Sequence, residues 1–68
     1  MQQPVVDHEL LDQAESMRRR AASLRSQAEH LGRVLATSYR RRASELELEA
    51  FVLEVQSGVP TDRVHTAA

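Results

Sequence analysis

Large apolar side chains and alanines recur along this chain at alternating intervals of four and three. The positions are Leu10, Ala14, Met17, Ala21, Leu24, Ala28, Leu31, Leu35, Tyr39, Ala43, Leu46, Ala50 and Leu53. A stripe of this period is the seam along which one helix packs on another. It spans most of the molecule, so the fold class expected is all-α.

Composition narrows the choice further. With 68 residues and no cysteine, the chain has a small core and neither disulfides nor thiolate zinc to staple it. Assembly with other helices is the remaining route to stability. Two glycines and two aromatic residues are too few for a sheet-rich fold with many turns. Apolar runs fall far short of the roughly 20 residues that cross a bilayer, and Met1 to His8 lacks the basic and apolar regions of a signal peptide. The default expectation is therefore a cytoplasmic protein. All basic residues are arginine, a codon preference that suits a small bacterial or phage protein.

Three segments follow. Residues 1–6, with Pro4 and no periodicity, read as a loosely ordered lead. Residues 7–57 read as a helical hairpin or coiled-coil domain, with Asp7 as N-cap and a stop formed by Gly58 and Pro60. Residues 58–68 read as a flexible tail. Within the domain, the seam spacing lapses into successive fours between Leu31 and Ala43. One explanation is a reversal, giving a helix over 7–31, a turn over 32–37 and a second helix over 38–57. The other is one straight helix with a stutter, paired in an antiparallel dimer. The hairpin is the preferred expectation, although Val34, Leu35 and Ala36 are poor loop residues.

Charge sets the expected register. An acidic start (Asp7, Glu9, Asp12, Glu15), a basic middle (Arg18 to Arg42, broken by Glu29) and an acidic end (Glu45, Glu47, Glu49, Glu54) favour antiparallel pairing. Pairing centred between Arg33 and Val34 sets Met17 against Ala50, Ala21 against Leu46, Ala14 against Leu53, Leu24 against Ala43 and Ala28 against Tyr39. It also predicts Arg18 near Glu47 and Arg20 near Glu49. Its flaw is Arg25 beside Arg40, which needs water or an acidic neighbour.

The segment from Leu46 to Val55 carries the main functional clue, because Leu48, Phe51, Val52 and Val55 lie off the seam. A helix apolar on two sides is buried on two sides. The expected function is a non-catalytic protein-protein interaction module, self-associating and docking on a partner protein through Leu48, Phe51, Val52 and Val55. Val6 and Leu11 are candidates to extend that surface. The strict alternation from Glu45 to Glu49 is also a strand signal, outweighed by the continuing seam.

Catalytic, cofactor and metal sites are not expected. His8, His30 and His65 are far apart, and His8 and His30 have no ligand companion at helical spacing. Glu45, Glu47 and Glu49 point to different sides of a helix, unlike a catalytic carboxylate pair. The rival function is a small nucleic-acid-associated regulator or antitoxin-like protein, with Arg18, Arg19, Arg20, Arg40, Arg41 and Arg42 as phosphate contacts. On a straight helix the two arginine triplets stand about 33 Å apart, near one turn of DNA. In a hairpin they merge into one basic patch. Residues 51–68 also resemble, in outline, a bacterial helix-turn-helix with Ser57-Gly58-Val59 as its turn. Glu54, however, sits where that motif takes a small residue, and a helix stop with a frayed tail is the reading adopted.

Overall fold

A computed structural model describes residues 5–60. Two helices, α1 (His8–Ala28) and α2 (Arg33–Gln56), pack side by side as a hairpin. The chain reverses, so the straight-helix alternative gives way. The segment once open to a strand reading lies wholly inside α2.

Local chemistry explains the start of α1. Asp7 has extended backbone angles, and its Oδ1 accepts hydrogen bonds from the backbone N–H of Glu9 at 3.1 Å and Leu10 at 3.2 Å. Two of the donors that a helix N-terminus leaves unsatisfied are thereby engaged. Glu9 in the first turn and Arg25 in the last complement the helix dipole. The helix tightens at its end, where Glu29, His30 and Leu31 donate to carbonyls three residues back.

The turn is shorter and earlier than the sequence suggests. Glu29 to Gly32 make the reversal, and α2 begins at Arg33 instead of residue 38. Val34, Leu35 and Ala36, unsuited to a loop, are helical. Gly32 caps α2 with extended backbone and no side chain to offer it. Thr37 lies inside α2 and donates through its hydroxyl to the carbonyl of Arg33 at 2.9 Å.

Starting α2 at Arg33 brings Ala36 onto the seam. Ala36, Ala43 and Ala50 then recur every seven residues, as do Ala14, Ala21 and Ala28 on α1, and all six are buried. Leu35, assigned to the seam from the sequence, is 56% exposed, whereas Ala36 is 4% exposed. Leu46 joins the buried set, and Met17 and Leu24 pack against a cluster of Ala21, Ala43 and Leu46. Leu10, Leu31, Tyr39 and Leu53 are half-buried along its length. Alanines on both helices let the axes approach toward the near end of the usual range of about 8 to 10 Å.

The far end is closed by the backbone. Asp7 N–H donates to the carbonyl of Ser57 at 2.8 Å, tying the entry of α1 to the exit of α2. Ser57 is buried, and its hydroxyl donates to the carbonyl of Glu54 at 2.6 Å. Gly58 follows with φ +95°, the left-handed conformation that commonly ends a helix. Between the ends, Ala21 of α1 and Ala43 of α2 share one buried cluster with Leu46, and Met17 and Leu24 pack against it.

Candidate protein-docking surface

The two flanks of the seam differ. On one, Arg18 forks onto Glu54, its Nε donating to Oε2 at 3.0 Å and its Nη2 to Oε1. Seven residues on, Arg25 forks onto Glu47 in the same way and also donates to the Ser44 hydroxyl at 3.1 Å. The hydrogen bond that each guanidinium donates to its glutamate is the main cause that raises the pKa of Arg18 and of Arg25 above the ordinary arginine value. The expected neighbours are also close, since the Glu47 charge acts on Arg18 and Arg20 lines one groove with Glu49, but the hydrogen-bonded forks run from Arg18 to Glu54 and from Arg25 to Glu47. They also relieve the anticipated clash of Arg25 with Arg40, since Glu47 supplies the acidic neighbour. Leu11 stands one heptad before Arg18, on this ion-paired flank, and so does not extend the surface around Leu48.

The opposite flank is open. Gln13, Met17, Leu48, Glu49, Val52 and Leu53 line a shallow groove of about 440 Å³, with an almost wholly apolar wall. Leu48, Val52 and Val55 continue outward from it onto the face of α2 turned away from α1, where they are 65%, 44% and 43% exposed. Phe51 is half-buried, and by helical spacing it lies at the edge of this face, in line with Glu47 and Glu54. Three of the four residues singled out from the sequence thus form an exposed apolar strip, and Phe51 borders it.

Val34, at 82% exposure, belongs to the same side of α2 and was missed. Its signal was present in the sequence, since Val34, Arg41, Leu48 and Val55 recur every seven residues. It became legible only once the helix was known to begin at Arg33.

The arginine clusters are partly neutralised. Besides Arg18, Arg19 pairs with Glu15 at 3.0 Å, and Arg42 pairs with Glu45 at 3.0 Å and Glu49 at 3.8 Å. Arg20 and Arg42 line a second, more polar groove of about 310 Å³ beside Glu49. Arg40 and Arg41 are exposed on α2. The 33 Å spacing between triplets belongs to a straight helix and does not arise in the hairpin. Glu54, off-pattern for a helix-turn-helix, faces α1 as the acceptor of Arg18, and residues 61–68 of that resemblance lie outside the described residues.

Carboxylates at 45, 47 and 49 separate as the helix requires, Glu47 toward Arg25 and the other two toward Arg42. Among the described residues, no group of three or more His, Cys, Asp or Glu side chains is arranged to hold a metal, and His8 and His30 are exposed. His65 lies outside the described residues. Among them too, no helix is long and apolar enough to cross a membrane. Comparison with protein-family models, with curated proteins and with solved structures gives no match.

Proposed function

We propose that this protein is a non-catalytic helical interaction module that works in the cytoplasm, self-associates, and docks on protein through the outer face of α2. The observation that carries this reading is a mismatch between the inside and the outside of the hairpin. Among the described residues the buried apolar set consists of six alanines and Leu46, while Leu48, Val52 and Val55 are left in water on one helix face. A thin core of small side chains supplies little hydrophobic stabilisation. Covering the three exposed residues adds on the order of 1 kcal/mol for each, since they are already partly shielded by the helix itself. The strip therefore gives assembly a driving force that the seam has spent its larger residues without meeting.

The arginines weigh against a nucleic-acid reading. Arg18, Arg19 and Arg42 are engaged by glutamates, and the net charge of −1 offers no long-range attraction for phosphate.

The test is the double variant Leu48→Glu with Val52→Glu. Circular dichroism is expected to retain the helix content, and sedimentation is expected to show the assembly dissolved. A double variant that sediments as the parent does removes the reading.

A further inference from the structure

The outer face of α2 holds a second seam, and its pattern specifies what covers it. Val34, Ser38, Arg41, Glu45, Leu48 and Val52 follow one another at gaps of four, three, four, three and four, and all six are exposed. At about 100° per residue this line runs roughly 200° round the helix from Ala43 and Leu46, so α1 leaves it free. Four-three spacing sustained along a helix is the requirement for packing against another helix. Here it is met by a line that α1 does not use.

Read in opposite directions, the line is complementary to itself. Antiparallel alignment centred on residue 43 sets Val34 opposite Val52, Ser38 opposite Leu48 and Arg41 opposite Glu45, and twofold symmetry repeats each match. The ends bring valine to valine, a small serine makes room for leucine, and the middle alternates arginine with glutamate. A parallel arrangement sets Arg41 on Arg41 and Glu45 on Glu45, which repel. An antiparallel arrangement moved by two heptads toward the C-terminus sets Leu48 on Val52, but leaves Arg41 facing Val59, Glu45 facing Val55, and Val34 in water.

We propose that a second copy of this chain covers the outer face of α2, antiparallel and about a twofold axis near Ala43, with Arg41 of each copy paired to Glu45 of the other. The inference rests on the docking role given to that face and adds its occupant, direction and register. A symmetric interface requires such self-complementarity, because each residue meets its counterpart's partner twice. Within its own chain Glu45 already accepts from Arg42 at 3.0 Å through Oε2, so the central cluster holds its acidic side chains in place before association. The product is a row of four helices with the two α2 helices at its centre. In that position the exposed Val34, Leu48 and Val52 are covered.

Charge reversal in the full-length protein tests the register. Arg41→Glu alone sets glutamate against Glu45 across the axis, and Glu45→Arg alone sets arginine against Arg41. Each is expected to weaken the dimer in sedimentation equilibrium by about tenfold or more in Kd, the consequence of a change of some 1.4 kcal/mol. Mixing the two single variants, or combining both changes in one chain, is expected to restore it. Oxidising a mixture of Val34→Cys and Val52→Cys chains is expected to link one to the other, while Leu48→Cys chains do not link to themselves. A parent protein that stays monomeric at millimolar concentration overturns both the self-association reading and this inference. If Leu48→Glu with Val52→Glu dissolves the assembly while neither charge reversal affects it, the register is overturned and the apolar docking face stands. Self-linkage of Leu48→Cys chains overturns the antiparallel arrangement proposed.

Discussion

Arg25 of α1 reaches across the seam to grip Glu47 of α2 with two nitrogens, and one heptad away Arg18 grips Glu54 in the same geometry. The two pairs run in opposite directions along the two helices, as antiparallel packing demands, and act as a register gauge on one flank. Their value depends on how far water is excluded. The Arg18 and Glu54 side chains are 23% and 17% exposed, against 66% and 70% for the Arg19 and Glu15 pair within α1. In double-mutant cycles with alanine, the coupling of Arg18 to Glu54 is expected at about 1 kcal/mol, and that of Arg19 to Glu15 at about 0.3 kcal/mol. The raised arginine pKa keeps its contribution at every pH below the ordinary arginine value, and it is lost only as pH climbs through the raised one. Moderate alkali therefore leaves Arg18 and Arg25 charged in their pairs, while added salt weakens the exposed pair of Arg19 and Glu15 first. Urea unfolding at two pH values and two salt concentrations reads both effects.

The alanine layers set a size limit. Ala21 and Ala43 are wholly buried in one cluster with Leu46, leaving no room for three more carbons without parting the helices. Ala21→Leu or Ala43→Leu is expected to cost about 1 to 3 kcal/mol. Ala22→Leu, on the exposed side of the same turn, is expected within about 0.5 kcal/mol of the parent. Thermal melts of the three variants at equal concentration check the contrast. Equal melting of the Ala21 and Ala22 variants contradicts the close-packed seam.

The hairpin and most of its seam were legible because the heptad period persists through both helices and antiparallel charge blocks select the direction. Three details were not. Leu35 and Ala36 are both apolar neighbours, and period alone did not choose between them; the choice depends on where α2 begins. The start at Arg33 follows from two facts that the sequence presents separately, the poor loop character of Val34 to Ala36 and the seven-residue return from Ala43 to Ala36. Glu47 was rightly placed near Arg18, but the hydrogen-bonded forks onto Glu54 and Glu47 were not foreseen, because residue-against-residue alignment ignores the reach of arginine. Arg18 extends from its own level to Glu54, one heptad beyond the Glu47 expected from simple pairing. The outer strip was visible at Leu48, Val52 and Val55 but not at Val34, since the same misplaced turn had removed Val34 from the helix.

The two glycines predict opposite responses. Gly32 has φ −63° and ψ 162° as the N-cap of α2, and a Cβ built there meets nothing within 4 Å. Gly32→Ser or Gly32→Asp places an acceptor near the unpaired N–H groups of α2 and restricts the unfolded chain, so stabilisation of about 0.5 to 1 kcal/mol is expected. Gly58 has φ +95°, and a Cβ there lies 3.0 Å from the carbonyl oxygen of Val5. Gly58→Ala is therefore expected to destabilise by about 1 to 2 kcal/mol. Denaturant midpoints should move in opposite directions, and a common direction contradicts the assignment of the two termini of α2.

Asp7 combines two roles at the open end of the hairpin, and substitution can separate them. Its carboxylate caps α1 through Glu9 and Leu10, while its backbone N–H ties α1 to Ser57 on α2. Asp7→Ala removes only the first and is expected to cost about 1 kcal/mol. Asp7→Asn keeps an acceptor at the same place and is expected to recover most of the loss. Asp7→Pro removes the N–H as well, so the tie to Ser57 goes with the cap and the loss should exceed that of alanine. Hydrogen exchange gives an independent reading, because the amide of Asp7, although outside the helix, should exchange more slowly than that of exposed His8. If the two amides exchange alike, the backbone link between Asp7 and Ser57 does not close the end of the hairpin in solution.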